Sequence, residues 1–495
     1  MKAFLGVDIG TSSSKGVLVD AAGRLLATAV REHEVHRPFP GHVEMDGEVW
    51  WAEFTSIAAE LTAGAPDAEV AAVGVSGMGP CVLLTDAAGV PLRPAVLYGV
   101  DTRATAQIEA LSAELGGPEA ILARCGSALS SQAVGPKLRW VAEHEPDLWR
   151  QARRLFMPAS WLAYRLTGAY TLDFHSASQC TPLFDTHALD WYAPWVARVA
   201  PDLELPRLAW SDEVAGVTRA AVSGIPAGTP VITGSIDAWT EAVSVDAQNP
   251  GDLMLMYGTT MFLIATVREP LTSPAMWGTV GALPGSRNLA GGMATSGALT
   301  GWLRDLVGAP DFTGLLAAAE ASGPGARGLL MLPYFAGERT PLMDPDARGV
   351  IAGLTLEHTR GDLYRAALEA TAFGVRHNVE ALRDAGASVE RVVAVGGGTR
   401  GGLWTRIVSD VTGLPQVVPA ITIGASYGAA YLAARTSVAA RIADWNPPAA
   451  TVVPDPATRA GYDELYALYR ELYPATRTIA HTLAARQRFA TEDAP

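Results

Sequence analysis

The chain has 495 residues, which predicts more than one domain because a single hydrophobic core stops growing beyond about 250 to 300 residues. Its 51 acidic and 37 basic residues give a formal net charge of −14, so nucleic acid is not an expected partner. Three widely spaced cysteines fit neither a disulfide framework nor a zinc site. Since no apolar run approaches the ~18 residues that span a bilayer, we expect a soluble, cytoplasmic protein without membrane contact.

The chain opens with a predicted β-hairpin whose turn can bind phosphate. An apolar strand at residues 4–7 leads to Asp8, and a second strand follows at residues 16–20. Glycine lets backbone N–H groups approach an anion, and hydroxyl and ammonium groups add donors and charge. Asp8 is a candidate to hold a hydrated Mg²⁺ against the phosphates. The candidate phosphate-binding residues of this turn are Gly10, Thr11, Ser12, Ser13 and Lys15.

The same order of strand, turn and strand recurs in the middle of the chain. Residues 253–257 and 261–264 are the strands, and the turn between them consists of Gly258, Thr259 and Thr260. A chance hairpin explains either turn alone. The recurrence favours two halves built alike, with a nucleotide phosphate held between them.

Strand and helix patterns alternate along the chain, which predicts an α/β architecture. Strands are predicted at residues 24–30, 70–76, 81–86, 94–98, 230–234 and 391–395. Helices are predicted at residues 50–61, 104–115, 136–144, 146–170, 362–385, 403–412 and 462–488. The proline- and glycine-bearing stretch at residues 244–252 is the predicted domain junction.

A glycine-rich run at residues 396–401 follows a strand and satisfies the dinucleotide-binding pattern G-x-G-x-x-G. The acid that would bind a ribose about 20 residues further on is missing. Three interpretations stay open: a shelf for the face of adenine, a tight strand-to-helix turn without a ligand, and an NAD-dependent oxidoreductase.

Asp237 stands between a predicted strand and a predicted helix. One interpretation is a helix N-cap, which is a frequent role for aspartate at such a boundary. The other is a general base that accepts the proton of an attacking hydroxyl during phosphoryl transfer. The P-loop motif and the protein-kinase motifs are absent, which excludes both of those routes to phosphoryl transfer.

Two segments near the C-terminus resemble the signature of the FGGY carbohydrate kinases, within them the xylulokinase-like branch. Residues 349–354 read Gly-Val-Ile-Ala-Gly-Leu, and residues 362–369 follow after seven residues at the family's spacing. The N-terminal signature is partial, at residues 137–140 and 143–146. The resemblance is nearly full length and implies two ribonuclease-H-like domains of the actin and sugar-kinase superfamily that flank an interdomain cleft. The implied ranges are 1–245 for sugar binding, 246–440 for ATP binding and 441–495 for a helical appendage.

The resemblance also implies roles for particular residues. Asp237 matches the catalytic base, and Asp8 matches the water-mediated partner of Mg²⁺. The two glycine-threonine turns match the phosphate loops of the family. The residues that match the adenosine site are Gly397, Gly398 and Thr399. The implied substrate-binding residues are Met78, Asp101, Arg103, Asp237 and Trp239.

Departures from the family pattern fall where the sugar is expected. Xylulokinases place a histidine after the methionine at Met78, whereas this chain has Gly79. Ala238 and Trp239 replace the usual small polar residue after the base. Asp101 and Arg103 are kept, and their alternative interpretation is a surface ion pair. These changes leave phosphoryl transfer intact and put D-xylulose itself in doubt.

The expected function is ATP-dependent phosphorylation of a terminal sugar hydroxyl, with Mg²⁺. The leading acceptor is a ketopentose, with D-xylulose converted to D-xylulose 5-phosphate. Ribulose, erythritol, erythrulose and glycerol are the alternative acceptors. A catalytically inactive nucleotide-binding sensor of the same fold is the alternative from another class of protein. A homodimer is common in the family, and the resemblance implies one here.

Overall fold

The computed structural model describes residues 1–492, which form two compact units. Unit 1 contains Met1–Asn249, Val267–Asn288 and Ile423–Pro447. Unit 2 contains Pro250–Thr266, Leu289–Thr422 and the chain from Pro448 onwards. The first passage from one unit to the other falls inside the predicted junction at residues 244–252. The chain passes between the two units several times, so each unit is made of three separate ranges of residues.

The secondary structure alternates strands and helices along the chain. The strands are β1 Lys2–Ile9, β2 Ser13–Asp20, β3 Leu25–Glu32, β4 Glu44–Met45, β5 Glu69–Gly77, β6 Leu83–Thr85, β7 Ala95–Val96, β8 Arg154–Phe156, β9 Thr171–Asp173, β10 Phe184–Asp185, β11 Asp190–Trp191, β12 Arg207–Ala209, β13 Val214–Val217, β14 Pro230–Ile232, β15 Ser235–Ile236, β16 Asp252–Tyr257, β17 Met261–Val267, β18 Trp277–Val280, β19 Arg287–Met293, β20 Leu330–Leu332, β21 Val350–Ala352, β22 Arg391–Val395, β23 Gln416–Pro419 and β24 Pro448–Val452. The helices are α1 Gly47–Gly64, α2 Thr105–Glu114, α3 Pro118–Cys125, α4 Val134–His144, α5 Pro146–Trp149, α6 Pro158–Thr167, α7 Phe174–Ser178, α8 Ala193–Val199, α9 Asp237–Ser244, α10 Gly297–Leu306, α11 Phe312–Ser322, α12 Arg360–Asp384, α13 Leu403–Thr412, α14 Ala425–Ala434, α15 Ile442–Trp445 and α16 Arg459–Glu492.

Unit 1 is built on a sheet with the strand order β13-β14-β5-β1-β2-β3. Strands β1, β2 and β3 form an antiparallel meander, as the sequence predicts. Strand β5 is parallel to β1, and β14 and β15 are both parallel to β5. One face of the sheet packs on α1 and α6, with Trp50, Phe54 and Trp161 fully buried in the core.

Helix α14 explains why residues near the C-terminal end belong to unit 1. It packs on β1 and β5, although more than 340 residues separate α14 from β5. A Cβ atom at Gly6 would lie 2.1 Å from the carbonyl oxygen of Ser426, and one at Gly74 would lie 2.0 Å from that of Ala429. Only glycine permits so close an approach of a helix to a sheet. The implied range 246–440 for the second domain therefore differs from the division in the structure.

The sheet of unit 2 repeats the central pattern of unit 1. Strand β16 pairs with β17 in an antiparallel hairpin and with β22 in parallel on its other side. Strand β1 has the same two kinds of neighbour, β2 and β5. Strands β23 and β24 extend the sheet beyond β22. The prediction that two similar hairpins recur in the chain is confirmed.

Two segments differ from the predicted secondary structure. Residues 146–170 are not continuously helical, because β8 pairs with β6 and Pro158 begins a new helix, α6. The range 441–495, expected as a helical appendage, contains β24, which pairs with β23. Both β8 and β24 form by pairing with a strand far away in the chain. Local sequence periodicity does not reveal such pairing. The predicted helix at residues 462–488 is confirmed within α16.

No helix among residues 1–492 is both long enough and apolar enough to cross a bilayer.

Candidate active site

Three parallel strands bring Asp8 and Asp237 to the same edge of the sheet in unit 1. Asp8 is the penultimate residue of β1 and is in register with Ser76 of β5. Ser76 is also in register with Ser235 of β15, whose last residue directly precedes Asp237. The carboxyl ends of parallel strands meet at one edge of a sheet, which is where ligands bind in open α/β folds. The strands thus collect the two predicted acidic residues.

A third carboxylate, Glu241, joins this pair. It follows Asp237 by one turn of α9, so both side chains share one face of the helix. Burial, and then the negative charge of Asp237, raises the pKa of Glu241 to about 7. Glu241 was not predicted from the sequence, although its i,i+4 spacing from Asp237 is a signal that it lies on the same face of the helix.

Burial also raises the pKa of Asp8 and of Asp237 above the usual range of aspartate. The charges of Asp237 and Glu241 add to the increase at Asp8, and Lys15, which is directly opposite Asp8 on β2, opposes it. The three carboxylates therefore repel one another and stabilise a cation placed among them.

One carboxylate oxygen of Asp8 is available to bind a hydrated metal ion. Its Oδ1 atom is buried and has no hydrogen-bond partner within the described chain. An oxygen ligand without a partner beside two further carboxylates fits a hydrated Mg²⁺, which keeps most of its waters. Residues 1–492 contain no group of three or more His, Cys, Asp or Glu side chains arranged to coordinate a metal directly. The arrangement is compatible with the predicted water-mediated contact.

Asp237 is not a helix N-cap. The N-cap residue of α9 is Ile236, and Asp237 is the first residue of the helix itself. Its Oδ1 atom accepts a hydrogen bond from the N–H of the next residue, Ala238, at 2.7 Å. The capping interpretation is therefore wrong.

Two polar contacts stabilise the first glycine-threonine turn. The N–H of Gly10 donates to the carbonyl oxygen of Ser13 at 3.1 Å, and the Thr11 hydroxyl lies 2.9 Å from the hydroxyl of Tyr98. Ser12 and Lys15 are exposed at the turn and the adjoining strand. Their polar groups are therefore accessible to an anion.

His33 and Glu53 stabilise this turn through hydrogen bonds, and neither residue was predicted from the sequence to do so. Nε2 of His33 lies 3.1 Å from the carbonyl oxygen of Gly10, and Nδ1 lies 3.0 Å from the Glu53 carboxylate. The Ser14 hydroxyl also donates to Glu53, at 2.5 Å. His33 directly follows β3, Glu53 lies on α1 and Ser14 on β2, so no local sequence signal connects them.

The second glycine-threonine turn, in unit 2, exposes its two hydroxyl side chains. Thr259 and Thr260 are exposed, whereas the carbonyl oxygen of Gly258 accepts a hydrogen bond from the N–H of Gly297 at 2.9 Å. A Cβ atom on Gly297 would lie 2.5 Å from that carbonyl oxygen, so glycine is required where α10 begins. The start of α10 supports the turn from below.

The glycine-rich run has two kinds of glycine. Gly396 has a φ of +93°, and a Cβ atom on it would lie 2.6 Å from the carbonyl oxygen of Tyr257. A Cβ atom on Gly398 would lie 2.8 Å from the ring of Trp404. These two glycines serve packing. Gly397 has no atom within 4 Å of the position of a Cβ, so it faces open space, as a shelf for a flat ligand requires.

Thr399, the third predicted adenosine residue, turns its hydroxyl inward. Its Oγ1 atom donates to the carbonyl oxygen of Gly396 at 2.8 Å. The side chain therefore stabilises the short 3₁₀ turn Gly397–Thr399 itself.

Met78 and Trp239 are both buried beside the carboxylates. The N–H of Met78 donates to the carbonyl oxygen of Ile9 at 2.7 Å, which places Met78 next to the end of β1. The ring of Trp239 stacks on His175 at a centroid distance of 3.8 Å. His175 was not predicted from the sequence either, because it comes to this region from a different helix, α7.

Asp101 and Arg103 form a buried ion pair. Their side chains are 0% and 1% exposed, so the alternative of a surface pair is wrong. Asp101 accepts from Arg103 at 2.7 Å and from the N–H of Val43 at 2.6 Å. Arg103 also pairs with Glu44 at 2.7 Å and lies over the ring of Trp140. These contacts join three segments of unit 1, and the substrate-binding role of Asp101 and Arg103 stays a prediction.

Known proteins resemble this chain over most of its length. Residues 3–244 match the N-terminal domain and residues 253–437 the C-terminal domain of the FGGY family of carbohydrate kinases. The xylulose kinase of Escherichia coli (strain K12) is 30% identical over 417 residues, which cover 83% of this chain and 85% of that protein. A glycerol kinase of Nocardia farcinica is 34% identical over 457 residues, which cover 86% of this chain and 88% of that protein.

Solved structures share the fold. The crystal structure of xylulose kinase from Rhodospirillum rubrum has a TM-score of 0.91 and 32% identity, and the match covers 97% of this chain and all of that one. These matches confirm the predicted fold class, a two-domain sugar-kinase fold with mixed α/β sheets. The chain belongs to the FGGY family of carbohydrate kinases.

Proposed function

We propose that this carbohydrate kinase transfers the γ-phosphoryl group of ATP to a terminal hydroxyl of a ketopentose, with D-xylulose as the leading acceptor. The observation that carries the proposal is the partly buried carboxylate of Asp237 at the sheet edge, beside Asp8 and Glu241. Kinases of this family use ATP. A carboxylate with a raised pKa is a stronger base than an ordinary aspartate, which suits removal of a proton from an alcohol.

Asp237 acts as the general base in the proposed mechanism. Its carboxylate accepts the hydroxyl proton of the acceptor as the oxygen attacks the γ-phosphorus in line with the departing β-phosphate oxygen. Asp8 would hold Mg²⁺ through water, and a bound ion would neutralise charge on the phosphates. The positive charge of Lys15, opposite Asp8, has the sign required near the same phosphates.

The remaining predicted ATP contacts are exposed hydroxyl groups, which suit phosphate, and an open glycine face, which suits adenine. The exposed hydroxyls of Thr259 and Thr260, in unit 2, are the proposed donors to phosphate oxygens there. The open face at Gly397 accommodates adenine, with Gly396 and Gly398 as its packed support.

The identity of the acceptor rests on finer evidence. The chain has Gly79 where xylulokinases place an imidazole, and a sugar hydroxyl left without that partner costs about 1 to 3 kcal/mol. Glycerol is the second candidate, because two glycerol kinases are 33% and 34% identical to this chain and the xylulose kinase of Escherichia coli is 30% identical.

A coupled assay of ADP release tests the proposal. The acceptors are D-xylulose, ribulose, erythrulose, erythritol and glycerol, each compared with ATP alone. D-xylulose is expected to give the highest kcat/KM. A higher value for glycerol favours the second candidate. ATP binding without acceptor-dependent ADP release by any member of the panel identifies the inactive sensor instead.

The oxidoreductase alternative has a separate test. A ligand that binds the native state raises the midpoint of thermal unfolding. ATP with Mg²⁺ is expected to raise it, and NAD is expected to leave it unchanged.

The cytoplasmic location and the homodimer remain predictions from the sequence and the family resemblance. Light scattering on the purified protein measures its mass in solution and tests the dimer.

A further inference from the structure

His175 is a fully buried imidazole held next to the helix that begins with Asp237. It lies on α7, which packs on β15, the strand directly before Asp237. Its ring stacks on Trp239, at an interplanar angle of 27°. The indole N–H of Trp239 donates in turn to Oδ1 of Asn288 at 3.1 Å. The imidazole is therefore fixed from one side by a ring that is itself fixed.

A second set of contacts fixes the edge of the imidazole. Nδ1 of His175 lies 2.7 Å from the carbonyl oxygen of Val280. The Ser178 hydroxyl donates to the carbonyl oxygen of His175 at 2.6 Å and accepts from the N–H of Val280 at 3.2 Å. Two hydrogen bonds thus join α7 to Val280 of β18, and rotation of the His175 ring would break the one from Nδ1.

These contacts determine which nitrogen carries the proton. A carbonyl oxygen only accepts hydrogen bonds, so Nδ1 of His175 must be the protonated nitrogen. Burial lowers the pKa of His175 to about 3, so the ring is neutral. Nε2 is then unprotonated, and it acts only as an acceptor.

Nε2 of His175 has no hydrogen-bond partner within the described chain, although the residue is 0% exposed. Buried polar groups in native proteins are nearly always paired, and an acceptor left unpaired costs free energy. A rigidly held acceptor without a partner, beside the helix of the base, indicates that a ligand supplies the donor.

We infer that Nε2 of His175 accepts a hydrogen bond from a hydroxyl group of the phosphoryl acceptor and makes His175 a determinant of acceptor specificity. The inference rests on the proposed function. Only a donor satisfies an unprotonated nitrogen, so His175 recognises a hydroxyl and neither a keto oxygen nor a phosphate oxygen. An imidazole absent after Met78 is thereby supplied from another element of the fold.

Two substitutions separate this role from a structural one. In His175→Asn, the amide nitrogen keeps a donor near the position of Nδ1 for Val280, and the acceptor at Nε2 is lost. In His175→Gln, the longer side chain places an amide oxygen near the position of Nε2. His36→Asn, at an exposed histidine, is the matched control.

For His175→Asn, kcat/KM for the best acceptor is expected to fall about 10- to 100-fold, since one buried group loses its partner. The KM for ATP and the acceptor-independent hydrolysis of ATP are expected to stay within about twofold of wild type. His175→Gln is expected to recover part of the loss. Acceptors that lack one hydroxyl complete a double-mutant cycle, and one of them is expected to lose activity with wild type but no further activity with His175→Asn.

Imidazole ¹⁵N NMR of the wild-type protein gives a measurement that does not depend on how the variants fold. Addition of the acceptor is expected to shift the resonance of the unprotonated nitrogen of His175 to lower frequency. An unchanged resonance overturns the inference.

The outcomes distinguish this inference from the proposed function. If wild type phosphorylates an acceptor and folded His175→Asn does so with unchanged kcat/KM, the inference is wrong and the proposed function stands. If wild type phosphorylates no acceptor, the proposed function fails, and calorimetric binding of the same panel decides the inference. The inference is then overturned if no acceptor binds or if His175→Asn binds the panel as wild type does.

Discussion

Asp237 and Glu241 lie one turn apart on the same face of α9, and the charges of both carboxylates act on Asp8. Burial, and then the negative charge of Asp237, disfavours ionisation of Glu241. Such an arrangement costs stability in the free protein and favours cation binding. Its consequences are measurable separately in stability, in turnover and in pH dependence.

Glu241→Gln is expected to stabilise the free protein at high pH. The pKa of Glu241 is raised from 4.5 to about 7, so the folded state retains a proton that the unfolded state has released between these values. Stability therefore falls as the pH rises through this window, and the loss is complete above it. The gain in the free energy of unfolding is expected to be on the order of 1 to 3 kcal/mol at about pH 8 and small at about pH 5.

Denaturant unfolding without ATP or Mg²⁺ at the two pH values measures this difference. Glu34→Gln, at an exposed glutamate, is the control and is expected to show no such dependence. An equal effect of Glu241→Gln at both pH values would contradict the assignment.

Asp237→Asn is expected to retain ATP binding and to lose turnover. The amide keeps the size of the carboxylate but cannot accept the acceptor's proton, so acceptor-dependent ADP release should fall by about 10²- to 10⁴-fold. Calorimetry measures the Kd for ATP, and the coupled assay measures kcat. Asp202→Asn, at an exposed aspartate, is the control. Near-normal turnover by Asp237→Asn would remove Asp237 from its role as base.

The acid limb of the pH profile is expected to lie above the ordinary pKa of aspartate, which is about 4. Asp237 must be deprotonated to act as a base, so kcat/KM should rise as the pH rises through its raised pKa. Glu241→Gln removes a neighbouring negative charge, and the limb is expected to move to lower pH. A limb that stays in place in this variant would show that Glu241 does not act on Asp237.

Gly397→Ala is expected to affect ATP binding, whereas Gly398→Ala is expected to affect stability. A methyl group at residue 397 meets no atom within 4 Å, so stability should be unchanged while the KM for ATP rises. A methyl group at residue 398 would lie 2.8 Å from Trp404 and 2.9 Å from Tyr257, and overpacking of this kind costs about 1 to 3 kcal/mol. Thermal unfolding and the KM for ATP distinguish the two variants. An unchanged KM in Gly397→Ala would argue for a turn without a ligand.

The strands and turns with strong local signals were predicted correctly from the sequence. The hairpins β1-β2 and β16-β17 and the helix α13 have clear periodicity and glycine boundaries, so their positions match the prediction. Strands β8 and β24 were missed, because each is extended only through pairing with a distant strand.

The candidate site shows the same division. Asp8 was found because it follows an apolar strand and precedes the first glycine-threonine turn, and Asp237 because it stands between a predicted strand and a predicted helix. The bracing pair His33 and Glu53 and the imidazole of His175 were missed, since nothing near them in the sequence marks the contact. The burial of Asp101 with Arg103 was also beyond the sequence, because it depends on Val43 and Glu44.

The sequence by itself determined the repeated hairpins, their glycine-threonine turns, the candidate base and the family signature, because each is a pattern within a short stretch of chain. The tertiary structure alone decided that α14 belongs with unit 1, that Glu241 stands with Asp8 and Asp237, and that His175 meets Trp239. Those contacts join segments far apart in the chain, and burial in the folded state gives them their charge and hydrogen-bonding properties.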